Sequence, residues 1–471
     1  MKKKADNPTG GCGLSPTGSR QEDISRSLPT GKREAERLFV LSHRLSSVST
    51  LALQARRYPD LDFPFVLDQI AGWQTARTKL PSWAEKDGIV YPPHLSMEQC
   101  SSEQTARYKA ELASRLANGP SSASATQHPL SGREPKRFSR TLIDLTGGFG
   151  VDFSFMARHF SQAVYVEKQE RLCGVARHNF GILGLAQAEV VCGDGAEYLH
   201  TAEAADVIYL DPARRNRQGG KTVLISDCTP DVLALEDELL AKSRHVVIKL
   251  SPMLDWHRAV EELNRHCGNV VREVHIVSIR NECKELLLVL EGNAAKLQTG
   301  NSVTGNKLPR RESAPAEAHL HVFCVNDDTV FDYLSNESTS SQHILGTPVG
   351  PDLHLYEPNA SLMKAGCFGE LTARFPLRAV APNSHLFVSD DKIEDFPGRS
   401  FVVSAVSSMN KKELKRTLQG IVRANIAVRN FPLSVAELRK RLKLQEGGDC
   451  YIFATTTGDG IHRLLITRKS E

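Results

Sequence analysis

The sequence has no stretch of 18 apolar residues, so it offers no transmembrane helix. Its ten cysteines are scattered and form no C-x-x-C pair. That removes zinc ribbons and thioredoxin-like sites from consideration, and no bound metal is expected. The start, Met1-Lys2-Lys3-Lys4, is basic, but no apolar segment follows it, so no secretory signal is expected. Isolated thiols without such a signal point to the cytoplasm. A dominant charge is also missing. The net charge of 471 residues is only +4, so contact with nucleic acid has to come from local patches. No internal repeat is visible.

What is present divides the chain by texture. Residues 1–33 are rich in Gly, Ser, Pro and charge and read as a disordered tail. Residues 34–117 have a helical pattern. Ser96-Met97-Glu98-Gln99 and Ser101-Ser102-Glu103-Gln104 match the S-x-x-Q capping box, the second leading into an amphipathic helix. Residues 118–139 are a Ser/Pro/Gly linker. Between 140 and 292, short apolar runs alternate with helical segments. The runs are Leu142–Leu145, Ala163–Val166, Glu189–Cys192, Val207–Leu210 and His245–Ile248. This alternation predicts a parallel sheet with crossover helices. Val274–Ile279 and Leu286–Leu290 are too close for a crossover and predict a terminal antiparallel hairpin. Further on, His319–Val325 reads as a strand opening a smaller α+β unit. Lys411–Val428 reads as a basic helix, and Cys450–Thr455 with His462–Thr467 as a last hairpin.

Chemistry-bearing residues stand just past the predicted strand ends, the edge where open α/β sheets bind ligands. Asp144-Leu145-Thr146-Gly147-Gly148-Phe149-Gly150 is a glycine-rich loop. The dinucleotide pattern needs a third glycine where Phe153 stands, so a nicotinamide cofactor is disfavoured. Glu167 ends the second strand, where a carboxylate can accept from both hydroxyls of a ribose. Asp194, between Gly193 and Gly195, ends the third. Asp211-Pro212-Ala213-Arg214-Arg215 follows the fourth, and Lys249 ends the fifth.

Together these motifs resemble class I S-adenosylmethionine-dependent methyltransferases. The resemblance implies an α/β fold with a Rossmann-like seven-stranded sheet, an N-terminal helical region and C-terminal α+β domains. It implies S-adenosylmethionine as cofactor, with Asp144, Thr146, Gly148 and Gly150 on its methionine side, Glu167 on the ribose and Asp194 on the adenine. Asp211, Pro212 and Arg214 would be catalytic. Asp144-x-Thr146-x-Gly148-x-Gly150-x-Asp152 also resembles the first motif of a small-subunit rRNA guanine-N2 methyltransferase. Amino-group methyltransferases usually carry an aromatic where this chain has Arg214, whose guanidinium plane can stack on a base. Glu98–Glu103, Tyr356–Ala360 and Arg429–Pro432 resemble a bacterial methyltransferase family with a ferredoxin-like and a THUMP-like domain. These are expected at 293–344 and 345–471.

The expected activity is methylation of a base amine in rRNA or tRNA, with RNA as partner, no membrane and an open oligomeric state. Arg214, Arg215, Arg217 and Lys221 would hold phosphates, with Arg215, Arg217 and Lys249 on the substrate. Lys411, Lys412, Lys415, Arg416 and Arg423 form a second basic surface. Two alternatives stay open. Cys283, in the turn of the terminal hairpin, would serve as nucleophile in pyrimidine C5-methylation. Or the scaffold is catalytically inactive and binds RNA or a partner.

Overall fold

The computed structural model describes residues 30–119, 140–214, 225–293, 319–335, 343–346 and 348–470. Nine strands form its main sheet: β1 (Thr141–Asp144), β2 (Gln162–Glu167), β3 (Ala188–Cys192), β4 (Ala205–Leu210), β5 (Ser243–Leu250), β6 (Val271–Ile279), β7 (Glu282–Glu291), β8 (Leu320–Asn326) and β9 (Thr329–Ser335). Their spatial order is β9-β8-β6-β7-β5-β4-β1-β2-β3. β3, β2, β1, β4 and β5 run parallel, and β7 is inserted antiparallel between β5 and β6. The seven strands of the expected sheet are all there. Two more follow, because β8 pairs parallel to β6 and turns back as β9. The smaller unit expected at 293–344 is therefore corrected: its described strands extend the main sheet and lie in no separate domain.

Both faces of the sheet are covered, which explains the nearly unbroken apolar strands. Leu142, Tyr165, Val207, Tyr209, Val247, Leu287 and Val289 face the N-terminal helical region. Ile143, Ile208, Val246, Ile248, Leu286 and Leu288 face the opposite core. α1 (Thr30–His43) packs on α2 (Phe63–Lys79) in a core of its own, while α3 (Glu103–Asn118) lies on the first face with the end of α2 beside it. α3 begins where the Ser102 hydroxyl accepts from the Thr105 N–H at 3.3 Å and ends at Gly119. The capping residue is thus Ser102, one beyond the expected Ser101. The Ser101 hydroxyl instead donates to Asp152 at 2.8 Å. The helix His94–Gln99 likewise starts after Pro93, so Ser96 caps nothing. α3 buries Ala106, Lys109, Ala110, Leu112, Ala113, Leu116 and Ala117, a stripe at helical spacing with one lysine in its middle. The crossover helices are α4 (Val151–Met156), α5 (Glu170–Ile182), α6 (Gly195–Thr201), α7 (Val232–Lys242) and α8 (Trp256–Cys267).

A second sheet holds β10 (His354–Pro358), β11 (Arg378–Ala379), β12 (Phe387–Ser389), β13 (Gly398–Ser407), β14 (Asn425–Arg429), β15 (Cys450–Thr456) and β16 (His462–Lys469), in the order β11-β12-β10-β13-β16-β15-β14. Tyr356, Leu362, Phe368, Leu371 and Phe387 from this part share a core with Ile276, Val322 and Phe331 of the main sheet. The expected last hairpin is β15–β16. The expected basic helix is shorter than 411–428. It covers Lys411–Thr417, Gly420 follows with φ 83°, and Asn425 onward is β14, paired with β15. Arg423 therefore leaves that surface, and its Nε donates to the Glu446 carbonyl at 3.0 Å. No helix of the described residues is long and apolar enough to cross a membrane.

α3 is clamped to β6 by charge. Arg115 pairs with Glu273, whose carboxylate also meets His275 Nε2 at 2.9 Å, and Tyr108 reaches His275 Nδ1 at 2.7 Å. Burial raises the Glu273 pKa, but bonds from His275 and Arg115 outweigh it and bring it to about 2, from 4.5. A depressed carboxylate stabilises the fold above its unfolded pKa, and the contribution fades as pH falls toward the folded value. Glu273→Gln should cost about 1–3 kcal/mol at pH 7 and far less near pH 2. Urea midpoints of both proteins at both pH values read this; equal losses would show that Glu273 is not the titrating group.

Candidate active site

The loop after β1 is shaped by contacts it cannot give up. The Gly147 N–H donates to the Val166 carbonyl at 2.8 Å, and a Cβ on Gly147 would lie 2.1 Å from the Tyr165 ring. Gly150 starts α4 with φ 81°, a conformation glycine adopts without strain. Between them the Gly148 N–H donates to Glu167 Oε2 at 2.9 Å. The other oxygen of Glu167 accepts from the Gln169 N–H at 2.7 Å. Asp144 is buried, and its carboxylate accepts from the Thr146 N–H at 2.9 Å. Burial pushes the Asp144 pKa well up; the Thr146 bond opposes this, and Asp152, Asp211 and Glu167 add to the rise.

Asp194 caps α6, accepting from the Ala196 N–H at 2.9 Å with Lys168 at 3.2 Å. That backbone bond, ahead of Lys168, holds its pKa below the usual value. The Gly193 N–H ties this loop to the Glu167 carbonyl at 2.9 Å. Gly193 itself has neither a positive φ nor any neighbour within 4 Å of a built Cβ. Nothing in the fold demands glycine there, and its bare surface lies between two strand-end carboxylates. These features fit an adenosine with its ribose at Glu167. They do not fit a dinucleotide, because Phe153 is fully buried against Tyr165 and Phe180, with ring centroids 5.5 and 5.0 Å away.

The loop after β4 is locked to the loop after β1. The Asp211 N–H donates to Thr146 Oγ1 at 2.6 Å. Asp211 Oδ2 accepts from Lys249 Nζ at 2.6 Å, while its side chain stays 41% exposed. Behind this pair lies Asp152, 3.7 Å from Lys249 and 3.2 Å from Lys109. Asp152 also accepts from the Ser101 hydroxyl at 2.8 Å and the Tyr209 hydroxyl at 2.9 Å. Lys109, wholly buried, donates to both oxygens of Glu285 at 2.6 Å. Burial raises the Asp152 pKa, but Lys109 and Lys249 outweigh it and the net shift is downward. For Lys249, burial is likewise overcome, by Asp211, Asp152 and Glu285, and its pKa is raised.

Hydrogen bonds therefore group Asp144, Thr146, Asp211 and Lys249, and separately Gly148 and Glu167; the Thr146–Gly148 backbone joins the two groups, with Asp194 on the adjoining loop. Pro212 is buried beside Asp211. Ala213–Arg214 is extended and pairs with Cys228–Thr229, so Asp211 does not cap a helix. Arg215, Arg217 and Lys221 lie outside the described residues. Lys249, expected on the substrate, is bonded to Asp211. Cys283 is half-buried in the core shared with Leu362 and Ala365, and burial raises its thiol pKa. That disfavours a thiolate nucleophile. Sequence reasoning missed Lys109, Ser101, Tyr209 and Glu285. Their signal was a lysine inside an Ala/Leu stripe and a glutamate leading an apolar strand.

The C-terminal part matches two family models: a ferredoxin-like domain over residues 354–397 and a THUMP domain-like model over residues 398–469. The ferredoxin-like domain is thus 354–397, not the expected 293–344. A solved structure described as a "putative methyltransferase" from Porphyromonas gingivalis W83 is 29% identical, with a TM-score of 0.72, covering 94% of this chain and all of that one. An S-adenosylmethionine-dependent methyltransferase from Agrobacterium tumefaciens is 16% identical with a TM-score of 0.27, covering 41% of this chain and 62% of that one. An O-methyltransferase from Bacillus cereus, solved with S-adenosylhomocysteine, is 12% identical with a TM-score of 0.27, covering 47% of this chain and 90% of that one. No curated protein sequence matches.

Removing one partner of a buried ion pair strands the other, at about 3–5 kcal/mol. Lys109→Met should therefore destabilise by that amount. Lys109→Met with Glu285→Leu should recover at least half of it. Denaturant titration of the two proteins decides, and a double variant as unstable as the single would remove the pair from this role.

Proposed function

We propose that this chain, a class I methyltransferase fold carrying ferredoxin-like and THUMP-like domains, uses S-adenosylmethionine to methylate an amine of an RNA base. The observation that carries the reading is the Thr146–Gly148 loop, whose Gly148 N–H bonds Glu167 at one end and whose Thr146 hydroxyl holds the Lys249-paired Asp211 at the other. It joins the place suited to a ribose to an exposed carboxylate held in fixed orientation.

When bound, S-adenosylmethionine supplies an electrophilic methyl group on a sulfonium. Glu167 accepts from the ribose hydroxyls, and Asp194 faces the adenine. Lys249 and the Thr146 hydroxyl hold Asp211 from two sides, so its free oxygen is available to the acceptor. That oxygen accepts an N–H of the incoming amine and turns the nitrogen lone pair toward the methyl. Alignment is the main demand of a direct displacement. The proton shed by the methylated amine passes to Asp211 or to water.

RNA as acceptor is supported by the THUMP-like match and by one hollow in that domain. It measures about 400 Å³ and is lined by Val428, Asn430, Phe431, Pro432, Thr456 and His462. Phe431 and His462 meet edge to face with centroids 5.3 Å apart, and aromatic rings of this kind stack on unpaired bases.

Bonds to a charged group are worth about 1.5–3 kcal/mol. Glu167→Ala should therefore weaken S-adenosylmethionine binding by roughly ten- to a hundredfold in calorimetry. A folded variant with unchanged affinity would take Glu167 out of the site. Asp211→Ala should keep cofactor affinity within a few fold and lose turnover. The acceptor is read by mass spectrometry of nucleosides in total RNA from cells with and without the gene. One methylated nucleoside should disappear; an unchanged nucleoside profile, with methyl transfer to protein instead, would overturn RNA as the acceptor.

A further inference from the structure

Away from the sheet edge that carries Asp211, α7 and α8 bring together three side chains that the reaction does not use. They are Glu236 on α7 and His266 and Cys267 at the end of α8. The ligand atoms of the three all lie within 4.8 Å of one another. His266 Nδ1 is 3.3 Å from Glu236 Oε2, and Cys267 Sγ is 3.3 Å from His266 Nδ1. Consecutive residues on a helix normally diverge, so convergence of His266 and Cys267 needs a cause.

Glu236 supplies a second, independent observation. It is 0% exposed, and among the described residues neither carboxylate oxygen has a hydrogen bond of good geometry, its nearest charged neighbour being His266 Nδ1 at 3.3 Å. The helices that carry the three residues bury Val232, Leu239, Ala259, Val260 and Leu263 in the adjoining apolar core. A carboxylate in apolar surroundings with only a half-exposed imidazole beside it is costly, and such groups are normally fully hydrogen-bonded or coordinate a metal. The carboxylate points at the imidazole and thiol, the direction from which a cation would reach all three.

We propose that Glu236, His266 and Cys267 form a site for a divalent transition metal of the Zn²⁺ class. The donor set is the first reason. Carboxylate oxygen, imidazole nitrogen and thiolate sulfur are the three ligand types zinc takes, whereas Mg²⁺ and Ca²⁺ take oxygen alone. Distance is the second. A tetrahedral centre with bonds of about 2.0–2.3 Å separates its donors by roughly 3.3–3.7 Å. The two contacts at 3.3 Å fall in that range, and the three-way limit of 4.8 Å leaves little closing movement. Access is the third. His266 is exposed and Cys267 half-exposed, so a metal enters from solvent while Glu236 anchors it from within. The Cys267 thiol now donates to Asp237 Oδ1 at 3.2 Å. On coordination its proton goes to solvent, and Asp237 or a water fills the fourth position. The ion would tie α7 to α8 and neutralise the buried Glu236 carboxylate between them. This site is independent of the methyltransferase reading.

The full-length chain, freed of metal with chelator, is titrated with Co²⁺ alone as an optical probe. One equivalent should produce a thiolate-to-cobalt charge-transfer band in the near ultraviolet, and Zn²⁺ should bleach it. Cys267→Ser should abolish the band, and His266→Ala should weaken Co²⁺ binding by about a hundredfold, as loss of one ligand requires. One equivalent of Zn²⁺ should raise the melting temperature of the parent chain and leave that of His266→Ala unchanged. Circular dichroism establishes that both variants are folded; both positions are solvent-accessible, so substitution is tolerated. The inference is overturned if the folded parent gives no such band, or if the band survives Cys267→Ser and so belongs to another of the ten cysteines.

Discussion

Glu285, Lys109, Asp152, Lys249 and Asp211 form a line of alternating acid and base that ties the N-terminal helical region to the loop after β4. Most of this line is out of water, and a buried charge is tolerated only when its partners are in place. Lys109 sits on α3, Glu285 on β7, Asp152 on α4, Lys249 on β5 and Asp211 beyond β4. Each needs its own element docked in one register before any of the others is satisfied. The orientation of the exposed Asp211 carboxylate is therefore set by the packing of a helix that begins more than a hundred residues earlier. α3 reaches the glycine-loop motif through the motif's last residue, Asp152, which Lys109 pairs with from outside the sheet edge.

Legibility in the sequence follows the range of the interactions. β1 to β7 were readable because both sheet faces are buried, so each strand is a local apolar run. Asp144, Glu167, Asp194 and Asp211 were readable because a strand end puts them on one edge whatever packs around them. Lys109 and Glu285 were not. Their meaning depends on a contact across 176 positions, and each alone looks like a solvated charge. The hairpin β8–β9 was read as a new unit for a similar reason. Its own pattern says strand, but only the free edge of β6 says which sheet it joins. The basic helix was drawn too long because charge spacing persists past Gly420, where the backbone turns.

The same limit applies to the metal-ligand set. Scarcity of C-x-x-C pairs argues against ribbons, whose ligands are close in sequence. It says nothing about ligands assembled from two helices. Glu236 looks like one more acid on a crossover helix until its neighbours are known. The second sheet is also assembled at long range. Glu357 on β10 is buried between Arg399 on β13 and Arg429 on β14, which binds the ferredoxin-like part to the THUMP-like part through one carboxylate. Tyr356, next to Glu357, packs in the core shared with the main sheet. The Tyr356–Ala360 segment thus connects two interfaces at once.

The charge around the glycine loop bears on which cofactor suits it. Asp152, Glu167 and Asp211 all lie close enough to act on Asp144, while Lys109 and Lys249 act on Asp152. A dinucleotide would bring its pyrophosphate to the start of the following helix, where backbone N–H groups attract anions. Here the first turn of α4 already carries Asp152, itself ionised and paired with two lysines. A second anion at that point would meet a carboxylate. A sulfonium brings positive charge into the same carboxylate cluster and would relieve the repulsion that adds to the burial-driven rise at Asp144. Sterics at Phe153 and electrostatics at Asp152 are separate constraints, and both favour a cationic nucleoside over a dinucleotide.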